Sequence, residues 1–124
     1  MVRILLIGAA GLAGTVARYL LSELAARRFG ETFPYGTLTV NLIGCFLAGF
    51  LFHILSERFE INPDVRSIVL IGFLGGFTTF SAYALQTFAL VQERAISFAL
   101  INVVASNLLG LLLVWTGYTS AKVL

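Results

Sequence analysis

The residues best suited to chemistry in this 124-residue chain lie where a long apolar sequence is interrupted by small polar groups. The stretch GGFTTFSAY, residues 75–83, holds two glycines, two threonines, a serine and three aromatic rings. Adjacent glycines each weaken a helix by about 1 kcal/mol relative to alanine, and threonine hydroxyls bond the backbone themselves. A helix broken here turns carbonyl oxygens out of its ladder. Inside a membrane those oxygens need a partner, and a bound cation is one. With no acidic residue nearby, a hard monovalent ion such as sodium suits the site better than a divalent one. Phe80 and Tyr83 are three apart and share a helix face, and aromatic edges carry the positive part of the ring quadrupole. Asn41, in TLTVNLIGC, offers two amide N–H donors. Asn102 and Ser106 are four apart on one face, with Gly110 a turn further on. Such donors in a row can replace the water shed by a dehydrating anion. Each feature also has a plainer use. Glycine pairs let helices pack, aromatic pairs face lipid or core, and Asn or Ser join helices at roughly 0.6 kcal/mol per contact. Spacing alone leaves both uses open.

The elements that must position these groups follow from composition. Hydrophobic residues make up 59% of the chain and charged residues 11%, with a mean hydropathy of +0.97. Those values identify an integral membrane protein with no room for a soluble domain. A spanning helix needs roughly 20 apolar residues, and four fit, at about 3–26, 36–55, 65–91 and 95–118. The expected fold is all-α, a single transmembrane domain over 1–124 with a broken third helix. RRFGETFPY, SERFEINPD and VQER collect most of the charge and both prolines and read as loops. The opening apolar run continues to about Leu24, long enough to span, so it reads as a retained helix rather than a cleaved leader. Cys45, the single cysteine, lies in an apolar run and reads as a packing residue. Gly8, Gly11 and Gly14, and Gly44 with Ala48, form small-residue faces for close helix contact.

Charge excludes several functions. No Asp or Glu falls in the middle of a span, which argues against proton coupling and for passive movement. His53 sits near a span end and reads as structural. Arg18 either snorkels to the interface or holds positive potential in an aqueous vestibule. Arg3, Arg58, Arg66 and Lys122 lie on one side, Arg27, Arg28 and Arg94 on the other. Such a weak bias leaves two readings: another factor orients the chain, or it inserts both ways and pairs as an antiparallel homodimer. No serine–histidine–acid set, metal cluster or phosphate loop is present, so no enzyme is expected. A pI near 9.0 reflects a few loop charges and makes no case for nucleic acid.

Taken together, the residues resemble one family. GGFTTFSAY resembles the G-G-x-T-T-F-S-T-F signature of the Fluc (CrcB-type) fluoride channels, and FPYGTLTVNLIGCFLAG their F-P-x-G-T-x-x-V-N-x-x-G-[SC]-F segment. GLAGTVARYLL is similar to their first-helix G-x-x-G-x-x-x-R-Y pattern, and NVVASNLLGLLLVW to their fourth helix. The resemblance implies a dual-topology antiparallel homodimer with two fluoride pores, resident in the bacterial inner membrane. By the same resemblance, Asn41, Phe80, Tyr83, Asn102 and Ser106 would line the pore, with Thr79 and Ser81. Arg18 would sit in the vestibule. Gly75 and Thr78 would offer backbone carbonyls from both subunits to one central, non-transported Na+. Ala82 and Tyr83 depart from the family pattern, which has threonine and phenylalanine there. Tyr83 keeps the ring and adds a hydroxyl, able to donate to fluoride or to narrow the pore. Two further readings stand beside this one. A small dual-topology exporter of cationic compounds is disfavoured because position 14 is glycine where such exporters carry a buried glutamate. A non-conducting membrane assembly subunit would use the polar residues only to join helices.

Overall fold

A computed structural model describes residues 1–124 and contains helices and short connections, without strands. We label the helices α1 (Val2–Phe29), α2 (Tyr35–Arg58), α3 (residues 63–77), α4 (Phe80–Gln92) and α5 (Ile96–Lys122). α3 and α4 together make the third of four segments long and apolar enough to cross a membrane. The spans run a few residues beyond the hydrophobic stretches in the sequence. α1 has 28 residues, or about 42 Å at 1.5 Å per residue, against a hydrocarbon core of about 30 Å. The helix is thus longer than the apolar layer is thick, and its last turn carries the charged Arg27 and Arg28.

Local chemistry sets the ends. Gly30 closes α1 at φ 92, a left-handed conformation that glycine adopts without strain. Asn62 caps α3, its side chain accepting from the Asp64 N–H at 2.8 Å, with Pro63 next in line. Arg94, at φ 60, makes the tight connection from α4 to α5. Arg3 reaches Asp64 at 3.2 Å and donates to Ser67 at 2.9 Å. Tyr118 donates to Glu57 at 2.8 Å, and Glu57 also meets His53 at 2.8 Å. These contacts gather the starts of α1 and α3 and the ends of α2 and α5 at one end of the bundle.

Only 18 of 124 residues are buried, so apolar burial inside one chain does little to hold the helices together. Close approach of backbones does more. A Cβ on Gly14 would strike the Phe73 carbonyl, and one on Gly76 would strike Gly11. At Gly72 it would meet the Ile7 carbonyl at 2.8 Å, so glycines on both helices bring α1 and α3 together. α2 and α5 form the most extensive pairing. There Gly49 abuts Val114, and Gly117 abuts Phe46 and Phe50. Gly8, by contrast, has nothing within 4 Å of a would-be Cβ, so it is not part of the packing face expected for it. In three places, His53–Arg58, Ile68–Phe73 and Ala105–Leu109, the helix widens into a π-helical turn and rotates the residues that follow.

Candidate functional site

Between α3 and α4 two residues leave the helical conformation. Thr78 has φ −91 and ψ 158, and Thr79 has φ −151 and ψ 112. The side chain of Asn41 fills the place of a neighbouring strand. Its Oδ1 accepts from the Thr79 N–H at 2.8 Å, and its Nδ2 donates to the Thr79 carbonyl at 3.0 Å. The two bonds satisfy both backbone groups of Thr79 and fix the orientation of the amide, because a carbonyl only accepts and an N–H only donates. Thr79 then starts α4 as its N-cap, Oγ1 accepting from the Ala82 N–H at 3.2 Å, with the Ser81 hydroxyl 3.3 Å away. Thr78 turns inward along α3, its N–H and its hydroxyl both donating to the Leu74 carbonyl at 2.9 Å.

Asn41 thereby changes what its surroundings offer to an ion. The Thr79 N–H would close on the Gly75 carbonyl in an unbroken helix, but it is held by Asn41 instead. The Gly75 carbonyl is released from that bond, on a residue that is exposed and has open space on its side-chain face. The Thr78 carbonyl accepts a long bond, 3.5 Å, from Arg18 Nη1. These two neutral carbonyls are the backbone oxygens at the break that could serve a hard cation. The guanidinium of Arg18 is the one feature that competes with a cation for the Thr78 oxygen.

The residues singled out in the sequence divide between two openings. One groove, of about 540 Å³, is lined by Asn41, Gly75, Thr78, Thr79, Phe80, Tyr83 and Ser106, together with Gly44, Cys45 and Asn107. The Phe80 and Tyr83 rings lie 5.4 Å apart between centroids, inclined at 52°, and Phe80 is 77% exposed. The second opening contains Arg18, Ser81 and Ala82 beside Thr15, Tyr19, Ser22 and Thr37. Thr79 borders both. Asn102 opens on neither. It is 2% exposed, its Nδ2 donates to Thr87 Oγ1 at 2.8 Å, and Thr87 donates on to the Tyr83 carbonyl at 2.7 Å. Its Oδ1 accepts from the Ser106 hydroxyl at 3.5 Å. Asn102 therefore stands behind the groove, tying α5 to α4 and touching the polar lining through Ser106.

Three polar residues at the site escaped the sequence reading. Asn107 lies beside Tyr83, to whose hydroxyl its Nδ2 donates at 3.3 Å. Thr87 is the partner of Asn102. Gln86 faces a cleft with Tyr19, Ser22 and Thr37, and its Oε1 is buried without a partner. Depth in an apolar span is the signal all three share with the residues that were noticed.

The family profile described as CrcB-like protein, Camphor Resistance (CrcB), matches residues 5–118. A protein of Geobacter sp. (strain M21), named Fluoride-specific ion channel FluC, is 41% identical over 124 residues, all of both chains. Proteins of the same name from Citrifermentans bemidjiense and Solibacter usitatus are 40% and 42% identical. The first match covers all of both chains, the second 95% of this chain and 97% of its relative. These relatives are named as channels, which are not enzymes. With the profile matched across all four spans and relatives of this identity aligned end to end, the chain belongs to the CrcB-like family of multi-pass membrane proteins.

Proposed function

We propose that the chain is a passive, fluoride-selective channel that lets fluoride leave a bacterial cell across the inner membrane, down its electrochemical gradient. The observation that carries this reading is the groove at Thr78 and Thr79, where Asn41, Ser106, Phe80 and Tyr83 face one opening with no carboxylate among them. The names of the relatives supply the ion. Fluoride is small and strongly hydrated, so it enters only where donors replace its water. Asn41 uses one amide hydrogen on Thr79 and retains the other. The Ser106 hydroxyl and the two ring edges extend the row. Neutral donors bind an anion closely yet release it, as conduction requires.

The finer architecture belongs to the same proposal. Near-balanced positive charges at the two ends of the bundle favour an antiparallel homodimer, and the family resemblance adds that it carries two pores. In that dimer the broken third helix of each copy would bring the Gly75 and Thr78 carbonyls to one central Na+. When bound, the ion supplies fixed positive charge at mid-depth and holds two copies together. Arg18 would release the Thr78 carbonyl and stand in the vestibule beside Ser81, drawing anions to the pore. Asn102 would hold Ser106 in place.

Release of anions from liposomes containing the purified protein, prepared in sodium, tests the reading. Fast loss of fluoride, without chloride and without a pH gradient, is expected. Should folded dimers release nothing, and the Ala82→Thr, Tyr83→Phe variant release nothing either, the chain is a non-conducting subunit. Release of a cationic compound driven by a pH gradient would point to an exporter.

A further inference from the structure

Tyr83 differs from the family segment by one oxygen, and the structure fixes the role of that oxygen in its hydrogen bond to Asn107. We infer that Tyr83 presents an O–H donor to the anion path in addition to a ring edge, and that Asn107 is the positioning residue that aims it. The inference rests on the fluoride-channel reading and deepens it.

The geometry assigns each proton. Asn107 Nδ2 lies 2.8 Å from the Val103 carbonyl and 3.3 Å from Tyr83 Oη. A carbonyl oxygen only accepts, so the Asn107 atom facing Val103 is the amide nitrogen. That nitrogen only donates, so the phenol oxygen accepts and keeps its own hydrogen. Tyr83 Oη makes no other hydrogen bond in the protein, and Tyr83 and Asn107 border the same groove as Asn41, Thr79 and Ser106. The one unused phenolic hydrogen is thus available where an anion would pass. Accepting a bond from Asn107 also polarises the phenol and strengthens it as a donor. An O–H bonded to an anion is shorter and about twice as strong as a neutral hydrogen bond. A ring edge alone provides only a C–H contact.

Backbone shape explains why Asn107 reaches the ring. It lies within the wide turn at Ala105–Leu109, which rotates the helix surface relative to Asn102. Both residues thereby contact α4 at different depths, Asn102 through Thr87 and Asn107 through Tyr83. A Tyr83–Asn107 pair is a device of two side chains on different helices, and removing either should remove the same effect.

The experiment measures fluoride flux against fluoride concentration at constant ionic strength, in liposomes containing the full chain. Four proteins are compared: the original chain, Tyr83→Phe, Asn107→Leu and the double variant, each shown by gel filtration to elute as the original does. The half-saturating fluoride concentration should rise about tenfold in Tyr83→Phe and about threefold in Asn107→Leu. Added to the Tyr83→Phe variant, Asn107→Leu should have no further effect, because the group it aims is gone. Asn107→Gln, which keeps the amide, should recover part of the loss. Fluoride flux in the original chain with the same half-saturation in Tyr83→Phe overturns the donor role and leaves the channel reading intact. Additive effects of the two substitutions overturn the positioning role of Asn107. No fluoride flux in the original chain overturns this inference, and it overturns the channel reading as well only if the Ala82→Thr, Tyr83→Phe variant is silent too.

Discussion

Replacing Asn41 by leucine should do far more damage than losing one membrane hydrogen bond. The two side chains are similar in size, so the change tests the amide rather than packing. Asn41 satisfies the Thr79 N–H at 2.8 Å and the Thr79 carbonyl at 3.0 Å, and in the leucine variant both backbone groups lose their partner. Each orphaned group away from water costs about 1–3 kcal/mol, so the pair should cost roughly 2–6 kcal/mol. Two ordinary side-chain contacts between membrane helices would cost about 1.2 kcal/mol together at 0.6 kcal/mol each. The difference is large enough to measure. Equilibrium unfolding in mixed micelles, followed by circular dichroism, should give a loss of at least about 2 kcal/mol. Fluoride flux should fall as well, because the second amide hydrogen is lost from the groove. A loss of about 1 kcal/mol or less, the level of ordinary contacts, would refute the idea that Asn41 holds Thr79 in its extended conformation.

Other perturbations test other parts of the argument. Gly117→Ala places a Cβ on the Phe46 carbonyl and should cost about 1–3 kcal/mol in the same unfolding assay. Gly8→Ala meets nothing within 4 Å and should leave stability unchanged or raise it by up to about 1 kcal/mol through helix propensity. Arg18→Gln should lower fluoride flux about fivefold at low ionic strength, since one charge near contact is worth about 1 kcal/mol in water. The two proteins should converge as salt shortens the screening length, and a gap that persists in high salt would show that Arg18 acts through shape. Exchanging sodium for a bulky organic cation should promote dissociation of dimers in detergent, read by cross-linking. Equal dimer fractions in both salts would count against a bound Na+ at Gly75 and Thr78.

Much of this was legible in the sequence, because hydropathy and length alone decide where a chain can cross a bilayer. The four spans were readable this way, and the family resemblance grouped Asn41, Ser106, Phe80 and Tyr83, which do border one groove. Helix rotation was not. Gly8, Gly11 and Gly14 share a spacing of three, but three residues turn a helix through about 300°. Gly8 therefore lies about 120° around from Gly14 and misses α3. Asn102 matched Ser106 in spacing, yet it points at Thr87 and is sealed from the groove. Asn107 was invisible to regular periodicity because the wide turn at Ala105–Leu109 changes the register just where it sits. The pairing of Asn41 with the backbone of Thr79 was unreadable for another reason. It joins positions 38 apart through groups that sequence patterns do not report.

The scarcity of buried residues has a thermal consequence. A water-soluble domain exposes apolar surface to water when it unfolds, and the resulting heat-capacity change bends its stability curve into a dome. Here most large apolar side chains already face outward, Leu5, Leu12, Leu24, Leu85 and Leu111 among them. Separating the helices within a bilayer would move their contact surfaces from protein to hydrocarbon, with little new apolar surface reaching water. The heat-capacity term then nearly vanishes, so stability should fall almost linearly with temperature and no cold-induced loss of structure should occur. Cooling, which loosens many soluble proteins, should only tighten this one.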